Sequence, residues 1–545
     1  MSDALTSSST MPEDLFDELL SAVNHDVFRA SRDPLTLQHY TGDFSATRNR
    51  RAPHAVVYPE TVEEVSSLLR FARRRAVPVV PYSAGTGLGT WMAQDGGIIV
   101  DLRRMNRIVE INEDELYVVV EPGVTYSQLT RELVERGLVI SIPDSTPSAS
   151  VLANHVNFGI GAYIQEHGLG QELVCGLEVA LPDGDVVRTG SAALPHASWS
   201  VRTTVFAPIP DLTGLFLNSL GTLGIVTKVA IRVFPVPEEV RYLKMGFGSI
   251  EVGASAARQL ARESIAQRVV GFNWFFSPEV RNELAGHITG DPMTAEDLHA
   301  LRSGVDCPEI YFFLGMHGSK DEVRLRERRL RDVAASHDGV EMEMDELATE
   351  KYYSVARGSP QTVSLRQILA KKGKYRGGYD TVYTYCPFGR WADLYEAWMA
   401  VGLEYGHPLA MNAKVLPLGR VSTFRFILSY FNNDDQADVE RIDELKGRLV
   451  DIALEQGALT GSFPKKRMPE LASYGLYQRV REALDPVGIM HPTHSGRGPV
   501  MPGTPSGVDP PAARDGPPPP VPDTTESAHP DDGRPDSSDP TATEE

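Results

Sequence analysis

The first segment able to do chemistry is PYSAGTGLGT, residues 81–90. Its glycines at 85, 87 and 89, interleaved with Ser83, Thr86 and Thr90, let backbone N–H groups turn into one concave surface of the kind that holds phosphate oxygens. The same glycines also suit a purely structural turn. A second candidate is the run Lys465-Lys466-Arg467, where a guanidinium fork and two point charges can hold a carboxylate or another anion, or simply form a solvated basic face. A third is YDTVYTYCPF, in which strand alternation sends Tyr379, Thr381, Tyr383 and Tyr385 to one face.

These residues need elements to position them. Apolar spacing predicts a helix over Val62–Ala76 and another over Thr125–Arg136, set among strand-like VPVVPYS, GIIVDL, IVEIN and LYVVVEPG. In ELVCGLEVALPDGDVVRTG two alternating runs flank Pro182-Asp183-Gly184, a hairpin pattern. The glycine-rich loop follows a strand, but TWMAQDGG after it has no helical periodicity, so no helix N-terminus receives a pyrophosphate and a Rossmann reading fails. From about Glu238 to Glu470, helices over Ala254–Arg268, Lys320–Ser336, Trp391–Tyr405 and Asp435–Gln456 separate strands such as EIYFFLGMHG, YDTVYTYCPF and STFRFILSYF. That pattern predicts an antiparallel sheet covered by helices on one face. A last helix spans Ser473–Leu484 and ends at DPVGIMHP.

Composition narrows the function classes. A chain of 545 residues is two to three times the usual domain size, so two packed domains are expected. The net charge of −20 repels a phosphate backbone and an anionic lipid surface alike, which makes nucleic acid and membrane poor partners. No run approaches the roughly 18 apolar residues of a membrane helix. Cys175, Cys307 and Cys386 are too few for a disulfide framework and have no metal-type spacing, and the first 20 residues lack the basic and apolar regions of a signal peptide. A cytoplasmic protein is the expectation, with a frayed start leading into an acidic helix. Twelve prolines, ten acidic and two basic side chains crowd the last 45 residues, which predicts a disordered acidic tail. Within it Pro517–Pro522 can form polyproline II.

The ordered series PETVEEV, VPVVPYSAGTGLG, IIVDLRRMNRIVEIN, VVVEPGVTYSQL, SVLANHVNFGIGAY, GLEVALPDGDVVRTG and GTLGIVTKVAIRVFPVP resembles the FAD-binding domain of the vanillyl-alcohol oxidase/p-cresol methylhydroxylase (PCMH-type) flavoprotein superfamily. It spans residues 52–238, and DPVGIMHP resembles that family's C-terminal flavin contact. The nearest members are the phenol-oxidising ones, through MNRIVEIN, EPGVTYSQL and VVRTGSAAL. The resemblance implies an α+β protein: a two-lobed FAD-binding domain (52–238, with a helical segment 1–51), an α+β cap (239–470) roofing the isoalloxazine, a return segment (471–497) and the tail (498–545).

It also implies site residues. Tyr82, Ser83, Ala84, Gly85, Thr86, Gly87, Leu88 and Gly89 would form the pyrophosphate loop, and Pro122 and Gly123 would line the adenosine end. Ser150, Asn154, Gly159 and Gly161 would bracket the phosphate and ribityl portion, while Gly221, Gly224, Ile225 and Val226 would offer main-chain contacts. Turn glycines and buried strand residues are compatible alternatives, because such a groove is made largely of backbone. Phenol-oxidising members bind a phenolate with two tyrosines and an arginine. Here Leu88 stands at the first tyrosine's place, Lys466 at the second's, and Arg467 keeps the arginine. A helper aspartate falls near Leu169, and the tether position of the cap strand falls near Val382 with Tyr383 close by. The phosphate loop has neither histidine nor cysteine, so FAD is expected to be held without a covalent bond. Tyr383 and Tyr385 remain a tether, a substrate donor or core; His155, His167 and His491 remain a base or packed side chains.

The function expected is that of an FAD-dependent oxidoreductase passing hydride from an aromatic alcohol, a phenol-like or another small organic substrate to flavin N5, with oxygen or another acceptor reoxidising it. Arg467 and Lys466 would anchor an anion, Tyr383 and Tyr385 form a polar wall, and His167 serve as base. A D-2-hydroxy-acid dehydrogenase of the same superfamily is the rival, weakened because His407 has no close histidine partner in sequence and no metal is expected. A degenerate flavin-fold binding protein is the alternative from another class. A homodimer is common among relatives.

Overall fold

The computed structural model describes residues 10–41, 52–87, 97–143, 146–157, 159–161, 163–202, 210–277, 280, 294–344, 380–428, 431–432, 435–461 and 465–492. The chain divides into two units, 1–502 and 503–545. The second unit and the whole predicted tail, 498–545, lie outside the described residues.

Two larger sheets carry the N-terminal half, beside a two-stranded pair of Leu138–Val139 with Phe234–Pro235. The first runs in the order Ala30–Ser31, Ala55–Val57, Ile98–Asp101, Val79–Tyr82, with the last three strands parallel. The predicted helix joining two of them spans Val62–Arg75: the Thr61 hydroxyl accepts from Glu64 N–H at its start, and Ala76 leaves it in a left-handed conformation. Its buried stripe, Val65, Leu68, Leu69 and Ala72, packs on Val57, Val79 and Val100. Ala30–Ser31 adds an edge strand within a segment expected to be only helical, after the acidic helix Glu13–Ser21. The second sheet is antiparallel, ordered Ile108–Asn112, Tyr117–Val120, Ile225–Arg232, Val174–Ala180, Val186–Arg188. Its last pair is the predicted hairpin, and Gly184 takes the required positive φ of 87°.

The third sheet is the cap: eight strands in the order Val340–Met342, Glu239–Phe247, Ile310–Gly318, Arg268–Asn273, Ala410–Val415, Val421–Leu428, Asp380–Pro387, Leu459–Thr460, every pair antiparallel. Helices Ile250–Arg262, Lys320–Ser336, Trp391–Glu404 and Gln436–Glu455 supply the apolar side chains that meet one face, as expected. One predicted boundary is corrected. The helix expected over 254–268 ends at Arg262, Ser264 turns to φ 51°, and Arg268 opens a fully buried strand, because Val269 and Phe272 must alternate across the sheet rather than follow a helical stripe.

The C-terminal return is locked onto the first sheet. After helix Tyr474–Leu484, the buried Asp485 carboxylate accepts N–H bonds from Gly488, Ile489 and Met490, and Met490 bridges Val79 in parallel. Asp485→Ala strands three amides and is expected to cost about 2–4 kcal/mol, measured by urea unfolding.

His155 and His407 are fully buried, and desolvation holds them neutral, at about 4 and about 3. In the unfolded chain a histidine titrates near 6.5, so between that pH and the folded values the unfolded state binds protons the folded state refuses. Stability is therefore complete above about pH 6.5 and declines as pH falls through this window. Calorimetric melting should show Tm dropping from pH 6.5 to 5, with a shallower drop in His155→Gln.

Candidate functional site between the glycine-built groove and the cap sheet

The glycine-rich loop leaves strand Val79–Tyr82 over a rigid floor. Tyr82 is buried, packs edge-on against Tyr40 at 5.1 Å and lies under the Arg103 guanidinium. Tyr40 and Arg103 both bond the fully buried Asp101 carboxylate. Gly85 has φ 65°, and a Cβ there would lie 2.2 Å from the Tyr82 hydroxyl, so only glycine lets the loop fold back over this ring. Ser83, Ala84, Thr86 and Gly87 complete the described part of the loop as half-buried or exposed turn residues, whereas Leu88 and Gly89 lie outside the described residues.

The remaining predicted groove residues gather along backbone close contacts. A Cβ on Gly123 would sit 2.3 Å from Arg103 O, and one on Gly159 2.2 Å from Asn154 O. Pro122 O accepts the Ser150 hydroxyl, which also caps helix Val151–Val156; the Ser150 side chain is thus committed to the protein rather than free to bracket a phosphate. Asn154 Oδ1 accepts from Tyr126 at 2.9 Å. Gly161 would place a Cβ 1.8 Å from Ser141 Oγ, a buried hydroxyl with no partner among the described residues, and His155 Nε2 is orphaned in the same way. Gly221 (φ 75°) lies against Pro81. Gly224 precedes strand Ile225–Arg232, whose residues 225 and 226 pair with Val174–Ala180, while pairing with Tyr117–Val120 covers only 229–232. Backbone donors brought close by glycines, with two orphaned buried polar atoms, fit a dinucleotide made of phosphates, hydroxyls and ring nitrogens.

Opposite this groove lies the other cap-sheet face, which packs on Trp274, Phe276 and the helix Ala295–Ser303 through Phe272, Ala410 and Ile427 and elsewhere carries polar side chains. The register aligns Asn412, Arg425 and Tyr383 in one row, and Lys414, Thr423 and Tyr385 in the next. Their neighbours Val382, Cys386, Met411, Ala413, Phe424 and Phe426 face the helices instead. Val382, the expected tether position, is therefore core and points away from the site; strand alternation gives that face to Tyr383. Tyr383 and Tyr385 stack edge to face at 5.3 Å, and burial pushes both phenols above their ordinary value, so both stay protonated donors. Tyr379 lies outside the described residues.

Residues 160–172 tie the two halves together. Lys414 Nζ donates to Ile160 O and Gly161 O at 3.3 and 3.4 Å, Tyr163 and Tyr242 share a 2.8 Å hydroxyl bond, and Gln165 donates to Ala261 O. His317 Nε2 meets Glu166 at 2.6 Å. His167 stacks flat on Phe234 at 3.6 Å, and desolvation lowers it to about 4. A group that weakly basic holds and orients better than it abstracts protons. His491, fully buried at φ 40°, donates from Nδ1 to Leu220 O and from its backbone N–H to Val79 O. Near Leu169, the position of the helper aspartate in the resembling family, Glu172 turns its carboxylate onto Leu169 N–H at 2.6 Å. Lys466 and Arg467 fall in the short 3₁₀ segment Lys465–Glu470, and their side chains lie outside the described residues.

Sequence reasoning did not find Asn412, Lys414, Arg425, Tyr163, Tyr242 or Glu172. Period-2 alternation in STFRFIL and AMNAKV puts Arg425, Asn412 and Lys414 on the polar face of otherwise apolar strands, and that signal was available. Among the described residues no group of three His, Cys, Asp or Glu is placed to hold a metal. None of their helices is long and apolar enough to cross a membrane.

Residues 53–190 match the FAD binding domain family. The chain is 37% identical over 218 residues to the 1'-carboxy-chondrochloren decarboxylase of Chondromyces crocatus, covering 38% of each chain. It is 33% identical over 217 residues to a probable mitochondrial D-lactate dehydrogenase of Danio rerio, covering 39% of this chain and 42% of the relative. The chain thus spans about two-fifths of the length of these curated relatives. Among solved structures, p-cresol methylhydroxylase with substrate bound superposes over 89% of this chain and 98% of its own at a TM-score of 0.77 and 21% identity, which establishes the fold. Residues 53–190 thus match an FAD binding domain, and the chain shares the fold of p-cresol methylhydroxylase.

Proposed function

We propose that this chain is an FAD-linked oxidoreductase acting on a small organic substrate held against the polar part of the cap-sheet face. The observation that carries the reading is the placement of two rows of polar side chains, from Tyr383 to Asn412 and from Tyr385 to Lys414, over the segment 159–172 of the cofactor groove. FAD, when bound, supplies a two-electron acceptor. The loop 82–87, Pro122, Gly123, Asn154, Gly159, Gly161, Gly221, Gly224 and the 225–226 backbone would hold it, with the Ser141 hydroxyl as a further donor and His155 Nε2 as an acceptor. The protonated phenols of Tyr383 and Tyr385 would donate to a substrate oxygen. His167 serves by its packing on Phe234. Lys466 and Arg467 stay candidates for an anion.

Sequence relatives carry the names of a carboxy-compound decarboxylase and a D-lactate dehydrogenase, and the fold neighbour that of a cresol hydroxylase. A small aromatic or 2-hydroxy-acid substrate is the class these support.

Two measurements test the proposal. The purified protein should show flavin bands in the visible that move into the supernatant on acid precipitation and bleach under anaerobic substrate. Colour kept in the pellet would mean a tether, with Tyr383 the first residue to change, and a colourless protein that cannot be reconstituted with FAD would sink the reading. Gly159→Ala forces a methyl against Asn154 O and should weaken FAD retention by about tenfold or more, 1.4 kcal/mol per decade, read from the 450-to-280 nm absorbance ratio after dialysis.

A further inference from the structure

The turn between the short helix Thr213–Phe216 and strand Ile225–Arg232 gathers three left-handed residues: Asn218 at φ 59°, Leu220 at 52° and Gly221 at 75°. A leucine in that region crowds its Cβ against the following carbonyl oxygen, and the conformation persists only where the surroundings over-determine it. Here they do so from both ends of the turn. Asn218 Oδ1 accepts from Gln171 Nε2 at 2.7 Å, and Asn218 N–H donates to Val156 O. The C-terminal return supplies two further grips from 255 and 271 positions away in sequence: the Tyr477 hydroxyl donates to Thr222 Oγ1 at 2.8 Å, and His491 Nδ1 donates to Leu220 O at 2.6 Å.

His491 is fixed well enough to hold that carbonyl in place. It is fully buried, and its backbone N–H donates to Val79 O at 2.8 Å, which ties it to the strand leading into the glycine-rich loop. The three amides before it are held by Asp485. Because a carbonyl can only accept, Nδ1 carries the hydrogen of the imidazole. On the other side of the turn a Cβ on Gly221 would lie 2.4 Å from Pro81 Cγ, in that same strand. The His491 bond therefore closes a circuit that runs from strand Val79–Tyr82 through the return segment and the turn 218–222 back to Pro81. We propose that His491 is a positioning residue of the cofactor groove: together with Tyr477 it holds the turn 218–222 in its left-handed form beside the start of the glycine-rich loop, so that this wall is set before FAD arrives. The inference rests on the FAD reading for what the groove receives; the strut itself does not need it.

The test follows FAD release from the full-length holoenzyme on dilution, by flavin fluorescence, together with the visible circular dichroism of the bound flavin. His491→Phe keeps a planar ring and removes the donor, and it should release FAD about tenfold faster and change the flavin dichroism. In His491→Asn the side-chain Nδ2 stands where Nδ1 stood, and asparagine tolerates positive φ, so release should stay within about threefold of the unaltered protein with the dichroism kept. Tyr477→Phe removes only the grip on Thr222 and should move both readouts in the direction of His491→Phe. Unchanged release and dichroism in His491→Phe, or a His491→Asn protein as impaired as His491→Phe, would overturn the proposal, as would a loss of thermal stability in the variants with the flavin dichroism unmoved. Where His491→Phe does not fold, Tyr477→Phe and His491→Asn decide: an unmoved flavin in Tyr477→Phe ends the inference. A flavin protein bleached by substrate but indifferent to these changes would leave the oxidoreductase reading standing without the strut. In a protein that takes no FAD that reading falls, and hydrogen exchange of amides 218–224 reads the strut alone: about tenfold faster exchange in His491→Phe supports it, and unchanged exchange removes it.

Discussion

A sheet whose one face buries its large apolar residues under four helices must satisfy the polar residues that alternation sends to the other, and in this protein that necessity organises the site. The cap's eight strands bury Phe424, Phe426, Met411 and Val382 under helices, which leaves Tyr383, Arg425, Asn412, Lys414 and Tyr242 on the opposite side. Buried polar groups persist only when bonded. Segment 160–172 answers that demand with carbonyls for Lys414, a phenol for Tyr242 and a carboxylate for His317. The contact that satisfies the cap's polar face is thus the contact that places it over the cofactor groove.

The groove itself works by subtraction. At Gly123, Gly159 and Gly161 a methyl group would collide with backbone or with Ser141, so removal of side chains brings main-chain donors into a narrow channel. Backbone donors in such a channel suit phosphates and ring edges. The rigid parts lie beneath: Asp101 holds Tyr40 and Arg103 under the loop, and the Asp485 turn presses Met490 against Val79 from the chain's far end. The loop therefore depends on residues nearly 400 positions apart, which couples the stability of the return segment to the shape of the cofactor site.

Local periodicity makes much of this legible in the amino-acid sequence. The Thr61-capped helix, the Gly184 hairpin, the glycine loop and the helix-covered antiparallel cap sheet all follow from side-chain alternation, caps and turn chemistry, which act over a few residues. The ordered motifs point to a flavin-binding fold for the same reason, since each is a short stretch of backbone shaped by its own residues. Tertiary structure alone decides which residues meet. No spacing in sequence reveals that Arg425, Asn412 and Tyr383 share one row, because strand order in the cap departs from chain order and register is set by packing across the sheet. Nor does sequence show that Val382 turns into the core, that Ser150 is consumed by its own helix, or that His167 lies flat on Phe234. Chemistry at this site comes from contacts between distant segments, and those contacts exist only once the cap's exposed face has been closed against the groove.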